Sequence, residues 1–392
     1  VVKKALNELK PNSEFEFMGW RAEARSIADQ LFGYNLSRGY TLNAQQQGGT
    51  ETITLGRVQT PILGLIVRRD RANASHIKNH YFNVKGQFLI ENKSFDGFYI
   101  PIKSQQVNEN NKLIDINEAN LVAKNCNGYP ALIESLVTKS KSEQPPLPYN
   151  LLKLQKDAAR KFGYSLQETL NITQSLRENY KLITYNRSDC QYLSDEHFDE
   201  ANDVLKAVSQ TAPILQGAIA KSNTTIKSRA FNSDKLSAHH GIIPTDTVGD
   251  LSKLTDSEQK IYMLIARAYI AQFHPKYTFD ATEIIVNVNG YKFKTNAKID
   301  TNLGWKNLYK NDVGNTEIED SEDTQILDLR TLKAGDIGNC TSSQVTAHET
   351  QPPALYTIDT LVEDLSRAAK YVKNPQLRKI LQDRDKDKEG EH

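Results

Sequence analysis

Two textures alternate along this chain, and the way they nest limits the folds open to it. Helical periodicity occupies residues 18–32, where Ala24, Ile27, Leu31 and Phe32 share one side, and Gly33 is expected to stop that helix. Residues 40–54, with Gln45-Gln46-Gln47-Gly48-Gly49, read as a loop, and a second helix is expected from Gly56 or Pro61 to Arg71. From His80 the pattern changes to short aromatic and β-branched runs at 81–90, 94–100 and 132–138. Helical spacing returns over 150–178, through Leu151, Leu154, Ala158 and Phe162, until Gly163-Tyr164 interrupts it. Ser165 and Glu168 then have the spacing of a capping box, as do Thr255 and Glu258 ahead of a helix through Ile261, Leu264, Ala268 and Ile270. Residues 283–288 and 291–297 flank Asn289-Gly290, a pair that favours a type I′ hairpin turn. Helices, strands, helices, strands, helices: the order describes a helical domain inserted into a β domain, itself inserted into a helical one. The expected fold class is therefore mixed α and β and multidomain, with segments 1–78, 79–145, 146–275, 276–345 and 346–392.

Composition narrows the class. At 392 residues the chain exceeds one ordinary core. With 38% hydrophobic and 25% charged residues it has globular composition, and no apolar run approaches the ~20 residues of a membrane span. The start, Val1-Val2-Lys3-Lys4, carries neither a signal peptide's apolar stretch nor a Met, so the chain is expected to be cytoplasmic, monomeric and trimmed at its front. Cys126, Cys190 and Cys340 are too scattered for a disulfide framework or a zinc ribbon. A net charge of +1 gives no global nucleic-acid signal, so any such binding must use local clusters. One candidate is the run Lys153, Lys156, Arg160 and Lys161, which would either track a phosphate backbone or form a solvated face.

Chemistry concentrates in Leu182-Ile183-Thr184-Tyr185-Asn186-Arg187-Ser188-Asp189. A phenol two residues from a guanidinium is a candidate phosphodiester-cleaving pair. The oxygen attacks phosphorus, and the cation holds the non-bridging oxygens. A free phenol, with a pKa of about 10, needs a local positive field or a base to act near neutrality. The competing reading is a strand end with a packed tyrosine. His239 and His240 form a second constellation, open to a structural reading or to proton transfer. Arg25 and Asp29, spaced i, i+4, read from the residues alone as a surface salt bridge. Arg57 and Gln59 stand where a helix begins, a position whose backbone amides favour phosphate.

Three blocks in order, Leu55-Gly56-Arg57-Val58-Gln59-Thr60-Pro61, the Tyr185 run with Cys190-Gln191-Tyr192-Leu193-Ser194, and Ser237-Ala238-His239-His240-Gly241-Ile242-Ile243-Pro244-Thr245, resemble the type IA DNA topoisomerases. Within that family they are most similar to the topoisomerase III branch. The resemblance implies a toroid: a helical strand-binding base (1–78 and 346–392), a two-part antiparallel β arch (79–145 and 276–345), and a helical tyrosine domain (146–275). It implies that Tyr185 forms a transient 5′-phosphotyrosine with single-stranded DNA, that Arg187 holds the phosphate, and that His239 lies near it. His240 falls at a variable position but is placed, with Arg25, Asp29, Arg57 and Gln59, among the residues implied to contact the strand. The sequence departs from the family at Asn186, where Pro or Met is usual, and has Ser188 where Thr is common.

The same resemblance implies Mg²⁺ held by an amino-terminal Toprim domain, which is expected to be missing here together with the carboxyl-terminal end. The chain alone is then expected to hold no metal, to bind single strands weakly and not to relax supercoils. Nucleoid association and a helicase as candidate partner follow from the family. Asp385-Lys386-Asp387-Lys388-Glu389-Gly390-Glu391 imitates the Toprim acidic motif but follows helix-like Gln376–Gln382, and is read as a charged tail. Two other classes stay open: a non-catalytic single-strand-binding scaffold, and a tyrosine recombinase, whose His-x-x-Arg element is absent before the tyrosine.

Overall fold

Hydroxyl side chains along one long helix fix the segment that follows it, and this local device organises the first of two units. The computed structural model describes residues 9–236, 239–310, 324–366 and 368–388. Val1–Glu8, Ser237, Ala238 and the acidic tail from Glu389 therefore lie outside the described residues. One compact unit comprises Val1–Ile77 with Gln351–Tyr356, the other Lys78–Thr350 with Thr357–His392.

In the first unit, α1 (Glu16–Gln46) runs through Gly33 and into the first part of the expected loop, whose remainder from Gln47 is non-helical. Ser37 and Thr41, on its second half, accept hydrogen bonds from the backbone N–H groups of Leu55 (2.8 Å) and Ile53 (3.0 Å). These tertiary contacts outweigh the helix-stopping preference of a single glycine. The second helix, α2 (Gln59–Ala74), begins between the two expected starts. Arg69 donates to the Ala354 carbonyl (3.0 Å) and its guanidinium lies 4.1 Å from the centre of the Tyr356 ring, which fastens Gln351–Tyr356 to α2. Neither helix contains a buried residue.

The second unit is built on a seven-stranded sheet: β1 (His80–Ile90), β2 (Lys93–Tyr99), β3 (Pro130–Glu143), β4 (Tyr277–Val288), β5 (Tyr291–Asn302), β6 (Thr324–Ile326) and β7 (Ile337–Glu349). The order is β2-β1-β7-β3-β4-β5-β6, and a further β2–β5 pairing closes six strands into an antiparallel barrel-like sheet. Only β5–β6 is parallel. The β4–β5 turn has Asn289 at φ 50° and Gly290 at φ 87°, the two positive values a type I′ turn requires. Phe88, Phe95, Phe293, Ile133 and Ile284 fill the interior. Helix α3 (Ile116–Cys126), which the sequence reading does not contain, caps this core with Ala119, Val122, Ala123 and Cys126.

The helical part carries α4 (Leu151–Phe162), α5 (Leu166–Glu178), α6 (Asp195–Asp199), α7 (Ala201–Thr211), α8 (Asp256–Ile270), α9 (Ile358–Ser366) and α10 (Pro375–Lys388). Gly163, at φ 74°, ends α4 in the left-handed conformation. Both expected capping boxes form, at Ser165/Glu168 and Thr255/Glu258. Leu154, Leu176, Ile261, Tyr262, Ile265 and Phe273 form a second, fully buried core. The basic run on α4 is mixed, with Arg160 exposed and Lys153, Lys156 and Lys161 partly buried. Burial pushes the Lys153 ammonium below its ordinary pKa, Lys156 pairs with Glu363 (2.7 Å) and Arg160 with Asp157 (3.1 Å). Among the described residues no helix is long and apolar enough to cross a membrane.

Candidate active site

Two segments some sixty residues apart in sequence are joined backbone to backbone, and this sets the position of Tyr185. Ile183 pairs with Pro244 in an antiparallel bridge. The Thr184 N–H donates to the Ile243 carbonyl (2.9 Å), and the Ile243 N–H donates to the Thr184 hydroxyl (3.1 Å). Leu182, Ile183, Ile242 and Ile243 are buried on the helical core, so the junction is anchored by apolar burial. The polar residues that follow Thr184 on the first segment and precede Gly241 on the second are thereby brought together. The His239 ring lies 4.8 Å from the Tyr185 ring, centre to centre, tilted by 30°. His239 Nδ1 is 3.6 Å from an Asp189 carboxylate oxygen.

Helix α5 holds the same loop from another direction. Asn186, the departure from the family pattern, is 1% exposed and donates from Nδ2 to the hydroxyl of Thr173, which is 0% exposed (3.2 Å). The pair satisfies a buried amide that would otherwise be costly. Exposed Arg187 donates to Gln174 Oε1 (3.2 Å), and Gln174 Nε2 donates to Glu178 (3.1 Å), so the amide orientation is fixed from both ends. The Arg177 guanidinium lies 4.7 Å from the Tyr185 ring centre. Buried Ser188 turns the chain by accepting from the Cys190 N–H (3.1 Å).

His240 faces elsewhere. Its Nδ1 is 2.9 Å from the Gly241 carbonyl, and its ring is 4.3 Å from that of His197. His197 closes the capping box of α6 with Ser194, and burial, then the neighbouring His240, pushes its pKa down to about 4. His197, Gln174, Arg177 and Asp189 are the neighbours that sequence reasoning did not assign. Gln174 and Arg177 are one turn apart just before the tyrosine run, but no periodicity says that this helix face meets the loop after it.

The remaining candidates lie in the first unit. Arg57, immediately before α2, forms a two-point ion pair with Asp29, with Nη2 to Oδ2 at 3.2 Å. The expected i, i+4 pair between Arg25 and Asp29 is thus replaced by a contact across 28 residues, because the segment after α1 folds back along it. The Arg57 hydrogen bond lowers the Asp29 pKa, and Arg25 adds only a weaker field. Gln59 opens α2. Arg25, Asp29, Tyr34, Arg38 and Leu55 line an open groove of about 890 Å³. Among the described residues no three His, Cys, Asp or Glu side chains converge to hold a metal ion.

A family model described as DNA topoisomerase matches residues 15–370, and the chain belongs to that family, as a type IA, topoisomerase III-like member. The DNA topoisomerase 3 of Vibrio cholerae serotype O1 is 34% identical over 395 residues, which cover 98% of this chain and 59% of that protein. The DNA topoisomerase 3 of Salmonella typhimurium is 36% identical over 389 residues, again 98% and 59%. The chain therefore spans about three fifths of the length of these relatives. Among solved structures, full-length topoisomerase I from Thermotoga maritima shares the fold, with a TM-score of 0.61 at 20% identity, over 92% of this chain and 55% of that one.

Proposed function

We propose that this chain forms the tyrosine-bearing part of a type IA DNA topoisomerase that cleaves and reseals single-stranded DNA through Tyr185. The observation that carries the reading is the convergence of His239 and Arg177 on the Tyr185 ring, with Arg187 exposed two residues on. In the cleavage step a bond forms between Tyr185 Oη and phosphorus as the bond from phosphorus to the 3′ oxygen breaks. The phenolic proton leaves Oη, the 3′ oxygen takes up a proton, and His239 is the group assigned to carry protons at this point. Arg187 offsets charge on the non-bridging oxygens. The 5′-phosphotyrosine keeps the energy of the broken bond, so attack by the 3′ hydroxyl reseals the strand, after another strand has passed.

Arg25, Asp29, Arg57, Gln59 and His240 form the strand-binding part of the proposal. The five-segment division into base, arch, tyrosine domain, arch and base belongs to the same reading, as do nucleoid association and a helicase partner. The test is capture of a covalent adduct with a 3′-labelled single-stranded oligonucleotide, using the protein that carries this chain. Tyr185→Phe is expected to abolish the adduct while leaving oligonucleotide affinity unchanged. An adduct that persists in Tyr185→Phe would sink the nucleophile assignment.

A further inference from the structure

Three consecutive residues of the nucleophile loop each meet a different side chain of α5. Tyr185 meets Arg177, Asn186 meets Thr173, and Arg187 meets Gln174. Positions 173, 174 and 177 are spaced i, i+3 and i, i+4, so they lie on one face of the helix. Thr173 and Gln174 act on the loop by ordinary hydrogen bonds. Arg177 acts on the nucleophile itself, because its guanidinium lies over the phenol ring. A cation over an aromatic face is attracted by the ring's quadrupole, and more strongly where water is excluded. Arg177 and Tyr185 are both half-buried, and among the described residues no carboxylate pairs with Arg177. The charge is therefore not neutralised before it reaches the ring.

We infer that Arg177 is a positioning residue for cleavage, one that fixes the Tyr185 ring against His239 and keeps a guanidinium without a carboxylate partner over the face of the phenol. The inference rests on the nucleophile reading of Tyr185. It differs from the role of Arg187, whose guanidinium is turned to Gln174 and to solvent and is free to meet phosphate. Arg177 acts through the ring, so its loss should affect the cleavage step rather than strand affinity. Its guanidinium also stands at the end of α5, where the helix dipole favours a cation, so the side chain is held in place without a partner carboxylate.

The experiment uses Arg177→Gln and Arg177→Lys in the protein that carries this chain, with two readouts. The first is the rate of adduct formation at saturating oligonucleotide, alongside the dissociation constant by anisotropy. Loss of a cation–π contact corresponds to roughly a tenfold slower rate in Arg177→Gln, with affinity within about twofold and partial recovery in Arg177→Lys. The second is the ring-current shift of the Arg177 Nε–H resonance, expected to vanish in Tyr185→Leu. An unchanged rate in Arg177→Gln, with wild-type adduct still forming through Tyr185, overturns this inference and leaves the nucleophile reading intact. Parallel loss of rate and affinity also overturns it, by making Arg177 a strand contact. An adduct that does not depend on Tyr185 removes the underlying reading instead.

Discussion

The Tyr185 loop and the Arg57–Asp29 pair are both polar sites, but they are built in opposite ways. The loop is bolted to a core: Leu182 and Ile183 are buried, Asn186 is sealed against Thr173, and α5 touches three residues in succession. The Arg57–Asp29 pair joins α1, which has no buried residue, to the turn before α2, and holds a half-exposed geometry by a two-point charged hydrogen bond. In the proposed function, the difference is the one expected between a group that must meet phosphorus at a fixed distance and a surface that must accommodate a flexible strand. Preorganisation serves the first. Adaptable, screened charge serves the second.

If that contrast is real, substitutions should separate the two regions by size of effect. The largest effect belongs to the core beneath the loop. Leu176→Ala, at a position that is 0% exposed, should cost about 2–5 kcal/mol in chemical denaturation. Leu31→Ala on α1, where the side chain is 61% exposed, should stay within about 0.5 kcal/mol. Equal effects would break the comparison. Next comes Thr173→Val, which leaves the Asn186 amide unpaired in a buried site and should cost about 1–3 kcal/mol while slowing adduct formation.

A smaller effect should appear with pH. His197 is held near 4 in the folded chain against an ordinary value near 6.5. The unfolded chain therefore binds this proton first, and stability is complete above about pH 6.5 and falls as pH drops through about 4. Urea midpoints measured across that window should decline less steeply in His197→Gln. The smallest effect on stability belongs to Arg57→Gln, which should leave the unfolding midpoint unchanged. In the proposed strand-binding role it would lower the slope of log affinity against log salt by about 0.7.

Much of the fold was legible because local chemistry and tertiary structure agree. Asn289-Gly290, the two capping boxes and Gly163 each satisfy a backbone requirement that no distant contact contradicts. The mixed character followed from the same signals, and the antiparallel arch from the family resemblance. Where tertiary contacts decide, the reading ran short. Gly33 does not stop α1, because Ser37 and Thr41 tie the rest of the helix to residues 53 and 55. Helix α3 was missed, since its burial is that of a short cap on the β core. At the candidate site, the proximity of Tyr185 and His239 came from the family resemblance alone, and the bridge from Ile183 to Pro244 supplies its physical cause. Arg177 lay beyond either route, because its role depends on one helix face meeting the loop that follows it.

The central claim is that Tyr185 carries the cleaved strand. The direct measurement is peptide mapping of the covalent adduct by mass spectrometry after nuclease trimming. A nucleotide joined through its 5′ phosphate to the peptide containing Leu182–Asp189, on Tyr185, is the result expected. Attachment at any other residue, or through a 3′ phosphate, would contradict it.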